Sequence, residues 1–124
     1  MGKLVLVVDD NDKNRKLLKI ILEKKGYEVK EAVDGRDAVE IARKEPPDLV
    51  LTDIRMPVMD GIEATRIMKS EEPTKSVPVI IITSSAMKGD RERLMAESGC
   101  DAYIAKPLDI REVLEVVERF IGAA

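Results

Sequence analysis

Four apolar segments of this chain are each followed by side chains suited to metal binding or group transfer. These side chains are Asp9, Asp10, Asp53, Thr83 and Lys106. Three carboxylates that lie close together repel one another unless a hard cation sits among them, and oxygen ligands with room for water suit Mg²⁺. With that charge offset, a carboxylate oxygen can attack a phosphoryl group and form an acyl phosphate. Asp53 is our candidate nucleophile, with Thr83 and Lys106 as donors to the phosphoryl oxygens.

This chemistry requires the five residues to meet, and the pattern of the chain predicts how they do so. Four runs rich in aliphatic residues are typical of strands buried on both faces of a sheet. They are Leu4–Val8, Leu49–Leu51, Val79–Ile82 and, more weakly, Ala102–Ala105. A fifth segment, Glu28–Ala32, alternates polar and apolar residues, which is typical of a half-exposed edge strand.

Segments with helical periodicity separate these strands. Gly26 and Gly99 lie where the first and fourth helices should end, and Asp109 with Glu112 forms a start like a capping box for the last helix. Strict alternation of strand and helix predicts a doubly wound α/β fold with parallel strands. In such a sheet ligands bind beyond the carboxyl ends of the strands, so the five polar residues are expected at one shared edge.

The length and composition describe one globular domain. The 124 residues suffice for a single domain over 1–124 and are too few for an added output domain of ordinary size. Apolar residues make up 44% and charged residues 36%, but aromatic residues only 2%, so the core is expected to be aliphatic. The chain contains no histidine, so a phosphohistidine in any mechanism must belong to a partner.

Charge and cysteine usage restrict the partners and the compartment. The net charge of -3 argues against direct binding to nucleic acid. No apolar run approaches the roughly 20 residues that span a bilayer, so an integral membrane protein is not expected. The single cysteine, Cys100, cannot form an internal disulfide, and the amino terminus lacks the long apolar core of a secretory signal. These features predict the cytoplasm.

Four stretches of the sequence together resemble the receiver domains of two-component response regulators over nearly the whole chain. They are Val7-Val8-Asp9-Asp10-Asn11, Asp53-Ile54-Arg55-Met56-Pro57-Val58-Met59-Asp60-Gly61, Ile82-Thr83-Ser84-Ser85-Ala86 and Lys106-Pro107. The resemblance implies a flavodoxin-like fold of the type found in CheY, with a five-stranded parallel sheet in the order 2-1-3-4-5. Within the family, the chain is similar to single-domain regulators of the DivK type and to receivers of hybrid kinases.

The resemblance also implies a role for each site residue. Asp53 would be the phosphoacceptor. Asp10 and Asp53 would bind Mg²⁺ directly, together with the backbone carbonyl of Arg55, whereas Asp9 would act mainly through water. Thr83 and Lys106 would bind the phosphoryl group, and the Lys106–Pro107 bond is expected to be cis.

Further implied features concern switching. Tyr103 would be an aromatic switch that changes rotamer when Thr83 moves toward the phosphate, and Arg55 and Ser85 would tune the loss of the phosphoryl group to water. Ser84 replaces the alanine that is common after the threonine, a mild departure from the family pattern.

The resemblance implies two kinds of partner. A sensor histidine kinase or a histidine phosphotransfer protein would donate the phosphoryl group, and a protein target would bind the face made by the fourth helix, fifth strand and fifth helix. The implied domain is a phosphoacceptor that catalyses its own phosphorylation and slow dephosphorylation, not a conventional enzyme. A basic run in and after the first helix is predicted to be a solvated face with a possible contact role: Lys13, Arg15, Lys16, Lys19, Lys24 and Lys25.

Three alternative functions remain at this point. Haloacid-dehalogenase phosphatases also use an aspartyl nucleophile after a strand, but they carry a second aspartate two residues later, where this chain has Arg55. Asp10, Asp12 and Asn14 imitate the start of a calcium-binding EF-hand loop, but Arg15 replaces its glycine and Ile21 its bidentate glutamate. A receiver-like interaction domain that cannot be phosphorylated is the third, and the complete residue set argues against it.

Overall fold

The computed structural model of the protein describes residues 2–84 and 88–123. Within them, five strands and five helices alternate along the chain. The strands are β1 Leu4–Val8, β2 Glu28–Ala32, β3 Leu49–Asp53, β4 Val79–Thr83 and β5 Ala102–Ala105. The helices are α1 Asp12–Lys24, α2 Gly35–Lys44, α3 Gly61–Ser70, α4 Lys88–Ser98 and α5 Ile110–Ile121. The predicted order of elements is confirmed, although β3 and β4 continue to Asp53 and Thr83 themselves.

The five strands form one sheet in the order β2-β1-β3-β4-β5, and every pair of neighbours is parallel. The predicted doubly wound topology is therefore confirmed. Val8 at the end of β1 pairs with Thr52, and Thr83 at the end of β4 pairs with Ala105. This register aligns the carboxyl ends of β1, β3, β4 and β5, the four strands that the candidate site residues end or follow.

Both faces of the sheet are covered, as the aliphatic strand runs predict. On β1, Val5 and Val7 pack with residues of α1 and α5, whereas Leu6 and Val8 pack with residues of α2 and α3. Alternation of side chains along a strand produces this division. Tyr27 is the sole aromatic side chain among the buried apolar residues of the described chain, so the core is aliphatic as expected.

The helix boundaries follow local capping chemistry. Asn11 caps α1 through a bond from the Asn14 amide, and Asp109 caps α5 by accepting from the amides of Arg111 and Glu112. Gly26 and Gly99 adopt φ values of 94° and 75°, in the left-handed region that favours glycine after a helix. Because Asp12 and Asn14 lie inside α1, the EF-hand alternative is wrong.

Two parts of the sequence-based interpretation remain outside the description. Ser85, with its expected influence on phosphoryl loss, lies outside the described residues, as does Ala86, the last residue of the stretch from Ile82 that resembles the receiver family. Among the helices that the structure does describe, none combines the length and apolar character needed to cross a bilayer.

Candidate functional site

The three predicted carboxylates meet beyond the ends of β1 and β3. One oxygen from each of Asp9, Asp10 and Asp53 lies within 4.8 Å of the others. Asp9 is only 4% exposed, Asp53 is partly buried and Asp10 faces solvent. The arrangement follows from topology, because β1 and β3 are parallel neighbours whose final residues leave the same edge of the sheet. The sequence prediction that these distant acidic residues converge is therefore confirmed.

Lys106 supplies the cation expected beside this cluster. Its Nζ donates to Oδ2 of Asp53 at 2.9 Å, while Oδ1 of Asp53 accepts from the Ile54 amide at 2.8 Å. The Lys106–Pro107 bond is cis, as the resemblance implies. Both oxygens of the Asp53 carboxylate are thus held in place, and the positive charge lies against the carboxylate that is our candidate nucleophile.

Thr83 completes the wall of the same recess. It is 3% exposed at the end of β4, and its carbonyl accepts from the Lys106 amide at 2.8 Å. A cavity of about 180 Å³ is lined by Asp53, Ile54, Arg55, Thr83, Ser84 and Lys106. Since a water molecule occupies about 30 Å³ of liquid, this space can accept a phosphoryl group with some water. A hydroxyl-bearing residue, a lysine and the central carboxylate therefore share one recess.

Tyr103 belongs to an apolar cluster that also includes Ile54, one of the residues that line this recess. It is half-buried on β5 and packs against the cluster of Ile81, Leu94 and Cys100. The structure therefore places Tyr103 between the sheet and α4. Cys100, in the same cluster, is free and buried.

The loop between β3 and α3 forms the rim of the site and carries Arg55. It is fixed at its far end, where the Gly61 amide donates to the Ile54 carbonyl at 2.8 Å. It is also joined to the start of α2, because the Gly35 amide donates to the Met59 carbonyl at 2.9 Å. Arg55 itself is exposed and borders both the recess of Asp53 and a neighbouring one that includes Asp10. The loop that carries Arg55 is thus held from two sides.

Gly61 is required by this close approach, so Gly61→Ala is expected to lower stability by about 2 kcal/mol. A Cβ at this position would lie 2.0 Å from the carbonyl oxygen of Asp53, a backbone atom that cannot turn aside. Urea unfolding monitored by circular dichroism measures the change. Gly99→Ala is the comparison that isolates backbone strain, because Gly99 has a φ of 75°, which disfavours alanine, while its Cβ would meet only side-chain atoms of Lys69 at 3.8 Å and beyond. If Gly61→Ala is no more destabilising than Gly99→Ala, the close approach does not constrain the loop.

Asp9 is held as firmly as Asp53. Its amide donates to the Ala32 carbonyl at 3.1 Å, and its Oδ1 accepts from the Asn11 amide at 2.9 Å. Burial raises the pKa of the Asp9 carboxyl. The Asn11 bond and the charge of Lys106 oppose that rise, whereas the charges of Asp53 and Asp10 add to it. A negative charge at Asp9 is therefore costly in the absence of a bound cation.

One residue of the site region was assigned wrongly from the sequence. Arg15 was placed with the lysines of the solvated face of α1, but it is buried, with 7% exposure. Its Nη1 donates to the backbone carbonyl of Asp9 at 2.9 Å. The signal that could have identified it is helical spacing, because Arg15 lies three and seven residues before Leu18 and Leu22, the other buried residues of α1. Its polarity concealed its position on the inner face.

Comparison with known proteins identifies the class to which this site belongs. The family model of the response regulator receiver domain matches residues 5–118. The chain therefore belongs to the response regulator receiver domain family, whose members act in two-component signalling.

Individual relatives agree over the full length. The polar-differentiation response regulator DivK of Brucella ovis is 40% identical over 124 residues, which cover all of both chains. The receiver domain of a sensor histidine kinase from Pseudomonas aeruginosa PAO1, solved with a magnesium ion coordinated in its active-site cleft, is 36% identical with a TM-score of 0.90, covering 99% of this chain and all of that one. The chemotaxis protein CheY4 of Vibrio cholerae is 28% identical with a TM-score of 0.89, covering 97% of this chain and 99% of that one.

Proposed function

We propose that this receiver domain accepts a phosphoryl group on Asp53 from a phosphohistidine of a sensor histidine kinase or a histidine phosphotransfer protein. The observation that carries the proposal is the meeting of Asp9, Asp10 and Asp53 within 4.8 Å, with the ammonium of Lys106 2.9 Å from Asp53. A carboxylate nucleophile, two further carboxylates and a cation are the components that acyl-phosphate chemistry requires. We place this exchange in the cytoplasm, in keeping with the free thiol of Cys100.

The donor set fits Mg²⁺. This ion takes oxygen ligands and usually keeps several waters, being held by one or two carboxylates of the protein. One oxygen from each of the three carboxylates lies within 4.8 Å of the others, so they could share one ion, directly or through water. We propose that Asp10, Asp53 and the Arg55 carbonyl hold the ion directly and that Asp9 holds it mainly through water. When bound, Mg²⁺ offsets the negative charge of the carboxylates and of the transferring group.

The transfer itself exchanges one bond for another. An oxygen of Asp53 attacks the phosphorus and forms the acyl phosphate, while the bond from phosphorus to the partner's imidazole nitrogen breaks and its electron pair stays on that nitrogen. The amide of Ile54 keeps the Asp53 carboxylate from rotating. Lys106 exchanges its bond with the carboxylate for a bond with one phosphoryl oxygen, and the Thr83 hydroxyl donates to another. Water later releases phosphate slowly from the same site.

The signal would leave through the face of α4, β5 and α5. We propose that Thr83 moves toward the phosphoryl group and that Tyr103 enters the vacated space, which changes the surface that binds a protein target. The position of Tyr103 supports this path, because it packs in the same cluster as Ile54, which lines the recess. Shifting such a switch from 1:99 to 99:1 requires about 5.5 kcal/mol, more than one neutral hydrogen bond provides. We therefore expect the unphosphorylated chain to sample the active state already.

Intact-mass measurement with a small phosphodonor tests the proposal. After incubation with Mg²⁺ and acetyl phosphate, the chain is expected to gain one phosphoryl mass, because the site provides the nucleophile and the positive charge without help from a kinase. Addition of a chelator in excess over Mg²⁺ is expected to remove most of that gain.

The same experiment separates the rival hydrolase. A phosphatase resembling the haloacid dehalogenases would turn over phosphate esters without accumulating a stable adduct. Continuous ester turnover with no mass gain would therefore overturn the proposed function. An adduct that forms equally well in chelator would remove the metal from the mechanism.

A further inference from the structure

The side chain of Arg15, in α1, reaches the backbone of the acidic site as well as two neighbouring carboxylates. Its guanidinium donates to acceptors on three different parts of the chain: the Asp9 carbonyl at 2.9 Å, Glu31 Oε1 of β2 at 3.0 Å and Asp12 Oδ1 at 2.5 Å. If Arg15 only neutralised its acidic neighbours, its bonds with Glu31 and Asp12 would be sufficient. The third bond, buried and directed at a backbone carbonyl, reaches the point where β1 enters the site.

This bond fixes the peptide between two candidate metal ligands. The carbonyl of Asp9 belongs to the Asp9–Asp10 peptide unit, which is planar, so holding the oxygen also sets the direction in which Asp10 continues. The Asp9 amide is bound to Ala32 on the other side. With Arg15 in place, the backbone of Asp9 is therefore held at both its amide and its carbonyl, one from β2 and one from α1.

The guanidinium is itself held rigidly. The carboxylates of Asp12 and Glu31 accept from separate nitrogens of its planar fork. Glu31 is held in turn by a second ion pair, with Lys19. The fork geometry of arginine allows it to bond all three acceptors at once, which a lysine ammonium on a flexible stem does less well. Burial acts to lower the pKa of the guanidinium, but its contacts with Asp12 and Glu31 outweigh that effect and raise the pKa. Arg15 is thus a fixed support and not a mobile surface charge.

We propose that Arg15 is a positioning residue of the phosphorylation site, which sets the Mg²⁺ affinity by orienting the Asp9–Asp10 peptide. The proposal rests on the proposed function, since it concerns the affinity of that same metal site. Groups that orient metal ligands without touching the metal commonly change affinity by about 10- to 100-fold when they are removed. In this proposal, Arg15 orients Asp9 and Asp10 without touching the metal.

The test compares Mg²⁺ binding in Arg15→Met and Arg15→Lys with the unaltered chain, by nuclear magnetic resonance titration of backbone amides. Arg15→Met keeps the aliphatic packing and removes every donor, and its Kd for Mg²⁺ is expected to rise by about 10- to 100-fold. Arg15→Lys keeps the charge beside Asp12 and Glu31 and so has the better prospect of folding. It is expected to show a smaller rise, at least about 5-fold, because it loses the fork that reaches the Asp9 carbonyl.

Two readouts distinguish positioning from simple loss of stability. At saturating Mg²⁺ the rate of phosphorylation by acetyl phosphate is expected to return to within a few-fold of the unaltered chain, while the Mg²⁺ concentration for half-maximal rate rises with the Kd. Arg43→Met is the matched control, since Arg43 also bonds a carboxylate, Glu71 at 2.6 Å, but on the α2 and α3 side of the molecule. It is expected to leave the Kd unchanged.

The outcomes separate the two proposals. If the unaltered chain binds Mg²⁺ and folded Arg15→Lys binds it equally well, the positioning role is overturned and the proposed function stands. If the unaltered chain binds no Mg²⁺ and gains no phosphoryl mass, the proposed function fails and the role of Arg15 fails with it. A rise in Kd for both Arg15 variants, with Arg43→Met unchanged, supports the inference.

Discussion

Replacement of Asp53 by asparagine is expected to abolish the phosphoryl adduct, with a fall of about 10³-fold or more in the rate of its formation. The amide has nearly the same shape as the carboxylate and can still accept from the Ile54 amide. It lacks the negatively charged oxygen that attacks phosphorus, so the site keeps its architecture and loses its nucleophile. Intact mass after incubation with acetyl phosphate and Mg²⁺ measures the result.

Asp34→Asn is the matched control for this substitution. Asp34 caps α2 by accepting from the Asp37 amide, and asparagine caps a helix about as well as aspartate does. The control therefore makes the same chemical change at a carboxylate that is not one of the three in the acidic cluster, and it is expected to form the adduct normally. A full phosphoryl adduct on Asp53→Asn would show that another residue is the acceptor. Hydroxylamine cleaves acyl phosphates, so an adduct on this variant that resists hydroxylamine would indicate that the acceptor is a hydroxyl group.

The convergence of the acidic residues could be predicted because two simple rules combine. Aliphatic runs locate the strands, and alternation with helices makes the strands parallel, so residues that follow Val8 and Leu51 must reach the same edge of the sheet. The distance between Asp9 and Asp53 in the sequence is then irrelevant to their distance in space. The register observed between β1 and β3 confirms this part of the prediction.

Contacts between loops and buried charges could not be predicted in the same way. The bond from Gly35 to Met59 joins the start of α2 to the loop before α3, and their relative position depends on the packing of α2 and α3, for which no local pattern exists. Arg15 was missed for a different reason. Its spacing from Leu18 placed it on the inner face of α1, but a charged residue there is expected only when acceptors are known to meet it. Those acceptors come from β2 and from the end of β1.

Asp9→Asn is expected to produce opposite changes in the stability of the chain without and with Mg²⁺. Without the ion, stability at neutral pH should rise by an amount on the order of 1 kcal/mol, because a buried charge beside two other carboxylates is removed. The amide oxygen can keep the bond from Asn11. Mg²⁺ affinity should fall by about 10- to 100-fold, so the ion should stabilise the variant less than it stabilises the unaltered chain.

The stability of the metal-free chain should depend on pH through the Asp9 carboxyl, and the sign of that dependence follows from its raised pKa. Because burial raises the pKa of Asp9 in the folded state, the folded chain binds more protons than the unfolded chain between the two pKa values. The contribution of Asp9 to stability therefore falls as pH rises through that window, and it is recovered on acidification toward the unfolded value of about 3.9. Urea unfolding across this range should show that component in the unaltered chain and lose it in Asp9→Asn.

Bound Mg²⁺ should reverse this balance, since the ion favours the charged form of the cluster. At a concentration of 100 times its Kd, the ion stabilises the folded chain by about 2.7 kcal/mol, and protonation of Asp9 competes with it. With Mg²⁺ bound, the unaltered chain should therefore not gain stability in the window in which the metal-free chain gains it, and it should lose stability as pH falls below the unfolded value of about 3.9, where protonation displaces the ion. Asp34→Asn, again the control, should follow the unaltered chain in both conditions. If Asp9→Asn matches the unaltered chain in both conditions as well, the carboxylate of Asp9 contributes neither to the electrostatic cost of the empty cluster nor to cation binding. A gain in stability on acidification that Mg²⁺ abolishes, and that Asp9→Asn lacks, would instead show that the site gives up stability in its metal-free form in order to bind the ion.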